Sequence, residues 1–149
     1  MILKDVCTMD VACCGAETTA LEAARLMRRR HVGDLVVVDD PDEGRVPLGV
    51  VTDRDLAVEV LGNGLDPQTT TAGMLMQRPV VIASESEETA QAIERMRTHG
   101  VRRVPVVDAR GAVVGIVTLD DLLRHLADEA RALLDIVDIG RKREERARR

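Results

Sequence analysis

The chain has no Phe, Tyr or Trp in its 149 residues. Its core must therefore be filled by Val, Leu, Ile, Ala and Met, which bury less area per residue than aromatic rings do. The same absence removes base stacking on aromatic side chains, the usual support of single-stranded nucleic-acid binding. Lysine is almost missing as well, with only Lys4 and Lys142 beside abundant arginine, a pattern we read as coding bias. No apolar run approaches the ~20 residues needed to span a bilayer. The opening Met1-Ile2-Leu3-Lys4-Asp5 is neither a charged leader nor a signal-peptide core. Three cysteines, two of them adjacent, imply no disulfide framework. The expectation is a soluble, cytoplasmic chain with no membrane segment.

Hydrophobic residues make up 45% of the chain, enough for one core or two small halves sharing one. The net charge of −5 is unevenly spread: Arg141–Arg149 holds six basic and two acidic residues, leaving −9 on the rest. An acidic body argues against general binding to a phosphate backbone.

An internal repeat fills most of the chain. A shift of 69 positions lays Thr18–Asp39 over Glu87–Asp108 without a gap, with Met27 on Met96 and Val38-Asp39 on Val107-Asp108. A shift of 66 then lays Gly49-Val50-Val51-Thr52-Asp53-Arg54-Asp55 over Gly115-Ile116-Val117-Thr118-Leu119-Asp120-Asp121, because the first copy's turn is three residues longer. Upstream, Val11 falls on Val80 and Cys7 on Met76.

Each unit reads as a short strand (Val11–Cys14; Val80–Ala83), an amphipathic helix, two strands and a second helix. The first helix is predicted over Thr19–Arg30 with Leu21, Ala24 and Met27 facing the core. Its counterpart covers Thr89–His99 with Ala90, Ile93 and Met96. Residues 17–19 and 84–86 offer N-caps. Strands Leu35–Val38 and Leu48–Val51, and Val104–Val107 with Val113–Val117, are joined by Pro/Asp/Gly turns as hairpins require. Their near-unbroken apolar character predicts an α/β fold with sheets covered by helices. Residues 1–65 form the first repeat, 66–127 a linker and second repeat, and 128–149 a helical extension with a basic tail. In that extension Ala130, Leu133, Leu134 and Val137 carry an apolar stripe to Ile139, and Gly140 opens a solvated tail. The copies should pack about a pseudo-two-fold axis, since one alone is too small to close a core.

The repeated motif ends a strand at a threonine and places an aspartate in the first turn of a helix. Such a terminus offers unpaired N–H groups suited to phosphate. The carboxylate can accept bonds from two neighbouring hydroxyls. A vicinal diol beside a phosphate is a ribose phosphate. The same residues are also ordinary capping choices, and both readings stand on sequence.

Gly-aliphatic-Val-Thr-x-x-Asp after a hydrophobic-Val-Asp strand, twice over about residues 3–127, resembles a tandem pair of cystathionine-β-synthase (CBS) domains, or Bateman module. Thr52-Asp53-Arg54-Asp55-Leu56 with Gly64-Leu65-Asp66-Pro67 is similar to small stand-alone bacterial CBS pairs, including the hypoxic-response type. The resemblance implies two β-α-β-β-α repeats and a disc-like homodimer. It also implies an adenosyl ligand: AMP, ADP, ATP, S-adenosylmethionine or an NAD-type dinucleotide. Asp55 and Asp121 would take ribose hydroxyls, and Thr52 and Thr118 the ribose–phosphate junction. Adenine would lie near Val11 to Cys13 and Val80 to Ile82, between aliphatic walls.

The copies differ where phosphate charge would be met. Arg102 and Arg103 precede one strand, while Gly33 and Asp34 hold the same place in the other. An arginine pair can engage phosphate bidentately, and Asp34 would repel it; surface arginines on a strand edge are the plainer alternative. Cys7, Cys13, Cys14 and His31 lack zinc-site spacing and read as core fillers. His31, His99 and His125 show no nucleophile–base pairing, so catalysis is not expected. The sequence therefore points to an adenosine-nucleotide sensor that signals through an unknown regulated partner. A ligand-free interaction protein using its last helix and basic tail is the alternative, and a cysteine-based redox or metal sensor is the third.

Overall fold

The computed structural model describes residues 1–148; Arg149, the last residue of the predicted tail, lies outside the described residues. Each copy forms a three-stranded sheet. The first holds β1 (Cys13–Gly15), β2 (Asp34–Val38) and β3 (Pro47–Thr52); the second holds β4 (Ala83–Ser84), β5 (Arg103–Val107) and β6 (Val113–Thr118). In both, the short first strand runs parallel to the central one, which pairs antiparallel with the third. The parallel step is made by a crossover helix, α1 (Ala20–Arg30) or α4 (Thr89–His99). After β3 the chain turns into α2 (Asp53–Asp55), which runs on as a π-helix, Leu56–Leu61. A short helix α3 (Ala72–Leu75) joins the copies, and α5 (Leu119–Ala147) follows β6.

The central strands are buried on both faces, as their apolar sequences predict. In β2, Leu35 and Val37 face the helix layer while Val36 and Val38 face the other copy, where Val113 and Ile116 meet them. Each strand ends in an aspartate that organises the hairpin. Asp39 Oδ1 accepts from the Val46 N–H at 2.7 Å, and Asp108 Oδ1 accepts from the Ala112 N–H at 3.0 Å. This explains why Val-Asp recurs in both copies.

The helix faces differ from the predicted ones. Ala20, Ala23 and Met27 are the buried residues of α1, and Ala92 and Met96 those of α4, whereas Ala24, Ala90 and Ile93 are exposed. Met27 and Met96 are buried as predicted, but a strict interval of three drifts around a helix of 3.6 residues per turn, and the face that contains them instead runs through Ala20 and Ala23, or Ala92. Thr19 caps α1, with its hydroxyl accepting from the Glu22 N–H at 3.2 Å. In α4 the cap falls at Glu88, whose N–H donates to Gln91. Ser84 and Ser86 bond each other and do not cap the helix. Gly140 does not end α5, which continues to Ala147. A glycine in an exposed helix costs only about 1 kcal/mol. The Arg141–Glu145 pair at 3.6 Å and the strong helix formers Arg141 to Glu145 that follow help to offset it.

The copies are interlocked through their leading segments. Leu3 is fully buried among Ala83, Ala92, Val104, Val117 and Leu122 of the second copy. Ala72, its counterpart, is buried among Ala12, Cys14, Ala23 and Val51 of the first. The backbone bridges come in matched pairs: Ile2 to Glu88 with Thr71 to Thr19, and Thr8 to Ile116 with Gln77 to Val50. These pairs are the pseudo-two-fold axis expressed in hydrogen bonds.

The crossing also explains the motif glycine. A Cβ on Gly49 would stand 2.9 Å from Met76 Cβ, and one on Gly115 would stand 2.5 Å from Cys7 Sγ. The leading segment of the opposite copy occupies the space. Gly49→Ala is expected to cost roughly 1–3 kcal/mol by overpacking. Gly115→Ala should cost less, because a thiol can rotate away while the Cβ of Met76 is fixed to its backbone. Urea denaturation of both variants checks the order.

Candidate functional site

Thr52 and Asp55 hold each other in a reciprocal cap. The Thr52 N–H donates to Asp55 Oδ2 at 2.8 Å, and the Asp55 N–H donates to Thr52 Oγ1 at 3.1 Å. Thr118 and Asp121 repeat this at 2.9 and 3.2 Å, with the Thr118 hydroxyl also donating to Asp121 Oδ2 at 2.8 Å. The capping reading of the sequence is thus realised in both copies. It engages Oδ2 of each aspartate, and both residues of each pair are half-buried. A cap that leaves Oδ1 able to accept is compatible with a ligand hydroxyl.

The two copies contribute jointly to one cleft. A cavity of about 410 Å³ is lined by Thr52, Arg54 and Asp55 from the first copy and by Val80, Arg102 and Arg103 from the second. The arginines therefore face the first copy's motif and not the Thr118–Asp121 pair beside which they lie in sequence. Within each copy the backbone ties the motif to the residue before the central strand, the Asp53 N–H donating to the Gly33 carbonyl at 2.9 Å and the Leu119 N–H to the Arg102 carbonyl at 2.8 Å, and Arg102 and Arg103 line the cleft with the first copy's motif. Gln77, Pro79 and Gly100 also line the cleft and were missed by the sequence reading. The signal was available in part, since Gln77 occupies the place of Thr8 in the repeat.

Asp34 and Arg103, equivalent positions of the two copies, form an ion pair. Asp34, expected from sequence to repel phosphate, is engaged here by the equivalent arginine of the other copy. Burial pushes the Asp34 carboxyl up; the Arg103 guanidinium pulls it back, and the nearby carboxylates of Asp53 and Asp121 add to the rise. Asp34 consequently feels both threonine–aspartate motifs. On the side of Thr118 and Asp121 the repeat offers Gly33, Asp34 and Asp120 where the cleft has Arg102, Arg103 and Arg54.

The other predicted contact residues lie apart from the 410 Å³ cleft. Val11 is buried in the cluster between the sheets, and Cys13 packs against that cluster. Arg45 Nη2 lies 3.0 Å from Cys13 Sγ. The Ile82 carbonyl accepts from Arg95 Nη1 at 2.9 Å. Cys7 packs against the core beside Leu3, and Cys14 is buried. Burial pushes both thiols up, that of Cys14 to about 11, so little thiolate is present at neutral pH. Among the described residues no three His, Cys, Asp or Glu side chains group to hold a metal ion, and no helix is long and apolar enough to cross a membrane.

Two interlocked α/β repeats that share a polar cleft across a pseudo-dyad define a tandem-repeat module. The chain belongs to the CBS domain family, whose sequence pattern matches residues 3–62 and 72–128. It is 36% identical over 127 residues to hypoxic response protein 1 of Mycobacterium tuberculosis, covering 85% of this chain and 86% of that protein. A crystal structure of hypoxic response protein I, described as holding two coordinated zinc ions, matches with a TM-score of 0.73 at 35% identity over 84% of this chain and 98% of that one. Protein MK0525 of Methanopyrus kandleri is 37% identical over 120 residues; the match takes in 80% of this chain but only 60% of that protein. The CBS domain pair of protein MJ0100, in complex with 5′-methylthioadenosine and S-adenosyl-L-methionine, matches with a TM-score of 0.75 at 27% identity. That match covers 87% of this chain and 98% of the MJ0100 chain.

Proposed function

We propose that the chain is a regulatory module that binds an adenosine nucleotide in the cleft between its copies. The observation that carries this reading is the meeting of Thr52 and Asp55 with Arg102 and Arg103 in one cavity. Asp55 takes the ribose hydroxyls, Thr52 sits at the ribose–phosphate junction, and the adenine lies against Val80. The arginines meet the phosphates by charge-assisted bonds. The adenosyl compounds held by the MJ0100 pair support the ligand class. AMP, ADP and ATP fit the basic cleft better than S-adenosylmethionine, whose sulfonium would face two guanidinium groups.

The side of Thr118 and Asp121, with Asp34 and Asp120, is the poorer place for phosphate. A phosphate entering the first cleft competes with Asp34 for Arg103, and loss of that ion pair loosens a contact made across the pseudo-dyad. Binding then favours one packing of the copies over another, which is what a ligand must do to signal. A partner protein or the second subunit of a homodimer reads the change.

Titration calorimetry with AMP, ATP, S-adenosylmethionine and NAD tests the reading. Arg102→Ala with Arg103→Ala is expected to weaken ATP at least tenfold while leaving adenosine, which has no phosphate, unchanged. ATP bound as tightly as by the parent protein would remove the arginines from the site. No heat with any of the four ligands would remove the sensor function itself.

A further inference from the structure

Helix α5 leaves the body of the protein almost at once. Leu122 is its one buried residue among those described, and every described residue from Leu126 onward is exposed. The exposed side chains are nevertheless apolar: Leu133, Leu134, Ile136, Val137 and Ile139 are each 65–66% accessible. A surface helix ordinarily places charge there.

The apolar positions have a register. Leu119, Leu123, Leu126, Ala130, Leu133 and Val137 alternate at spacings of four and three, and Gly140 continues the series. This is the 3.5-residue repeat of a coiled-coil seam, which calls for another helix as its partner. The helix is ~44 Å long at 1.5 Å per residue, enough for the three or more heptads such a seam needs.

We propose that α5 pairs antiparallel with α5 of a second copy of this chain. Two independent features select the partner and its direction. The first is charge. Residues 119–139 carry six acidic and two basic side chains, whereas residues 141–148 carry five basic and two acidic. An antiparallel pair lays each basic end along the acidic half of its neighbour and brings Arg141 beside Asp120 of the other copy. A parallel pair stacks basic end on basic end.

The second feature is volume. In the antiparallel register Leu133 meets Ala130, Leu123 meets Gly140, and Leu126 meets Val137. Each layer combines a larger with a smaller side chain, as interdigitating knobs require. A parallel pair would set Ala130 on Ala130 and Gly140 on Gly140, leaving voids at both. Leu134 and Ile136 flank the seam and widen the surface it covers. The seam starts on the last helix of the second repeat, runs on through the helical extension, and does not rest on the nucleotide reading.

Disulfide capture in the full-length chain tests the pairing. Mixing an Ala130→Cys chain with a Leu133→Cys chain under mild oxidation is expected to yield a 130–133 intermolecular bond, identified by peptide mapping against the native Cys7, Cys13 and Cys14. Leu126→Glu in both chains should lower the yield at least fivefold while circular dichroism keeps its folded signature. Dominant 130–130 or 133–133 bonds would show a parallel pair and overturn the proposal. Absence of any cross-link at these positions would overturn it as well. So would an uncross-linked chain that sediments with anionic phospholipid vesicles, because α5 would then be a membrane-surface helix.

Discussion

Alanine at Asp55 is expected to weaken nucleotide binding in the first cleft by roughly a hundredfold. A carboxylate that accepts two ribose hydroxyls makes charge-assisted bonds worth about 1.5–3 kcal/mol each when no other group replaces them. Losing about 3 kcal/mol corresponds to about two decades of affinity. Alanine also removes the acceptor of the Thr52 N–H at 2.8 Å, so a loss of about 1 kcal/mol of stability accompanies it. Asp55→Asn separates the two effects. Its carbonyl oxygen can keep the cap, but it presents no negative charge to the hydroxyls, so stability should hold while affinity falls. Calorimetry with ATP reads the binding and urea denaturation reads the fold. If Asp55→Ala lost only the cap energy and bound ATP normally, the pair would be a cap and nothing more. Asp121→Ala supplies the contrast, since its carboxylate is paired with Thr118 outside the cleft that holds the arginines. It should leave that first affinity in place.

The motif was legible because it is local and repeated. A strand end, a hydroxyl and a carboxylate three residues on lie within one turn of chain, so sequence places them reliably. The arginines were legible as a charge difference between the copies, but their placement was not. They reach the first motif because the two copies pack face to face, a contact between residues about fifty positions apart that no local period encodes. The same packing brings the equivalent positions Asp34 and Arg103 together across the axis as an ion pair, a contact the comparison of the copies as separate sites did not foresee. The helix faces were misread for a smaller reason. A strict period of three, as in Leu21-Ala24-Met27 or Ala90-Ile93-Met96, drifts around a 3.6-residue helix, so only Met27 and Met96 stay on the face they share with Ala20 and Ala23, or with Ala92. Gly140 read as a stop because a glycine weakens a helix, but it lies where Arg, Lys and Glu sustain the helix on one side and apolar residues on the other. The role of the motif glycines needed the structure as well, since Met76 and Cys7 come from the opposite copy.

That exchange of leading segments makes Leu3→Ala the stability variant with the largest expected effect, about 3 kcal/mol. Leu3 is fully buried, and truncating such a leucine loses both its transfer energy and the contacts around the space it leaves. The second core has little means of closing that space. Ala83, Ala92 and Val104 around it are small, and Leu3 is held by its N–H donating to the Glu87 carbonyl at 2.8 Å. The first copy shows the alternative solution, with Ala72 at the equivalent place and Leu26, Leu75 and Met76 packed around it. Alanine at position 3 would thus copy the first core's residue without the larger neighbours that suit it. The damage should be local in a revealing way. Amide hydrogen exchange is expected to speed up in β5 and β6, the sheet of the second copy, more than in β2 and β3, although the substitution is at the start of the first. Equal acceleration in both sheets would mean that the copies unfold as one unit, and faster exchange in β2 and β3 alone would contradict the crossed packing. Because the cleft draws Val80, Arg102 and Arg103 from the second copy, the same variant should bind nucleotide more weakly without touching a single residue that contacts it.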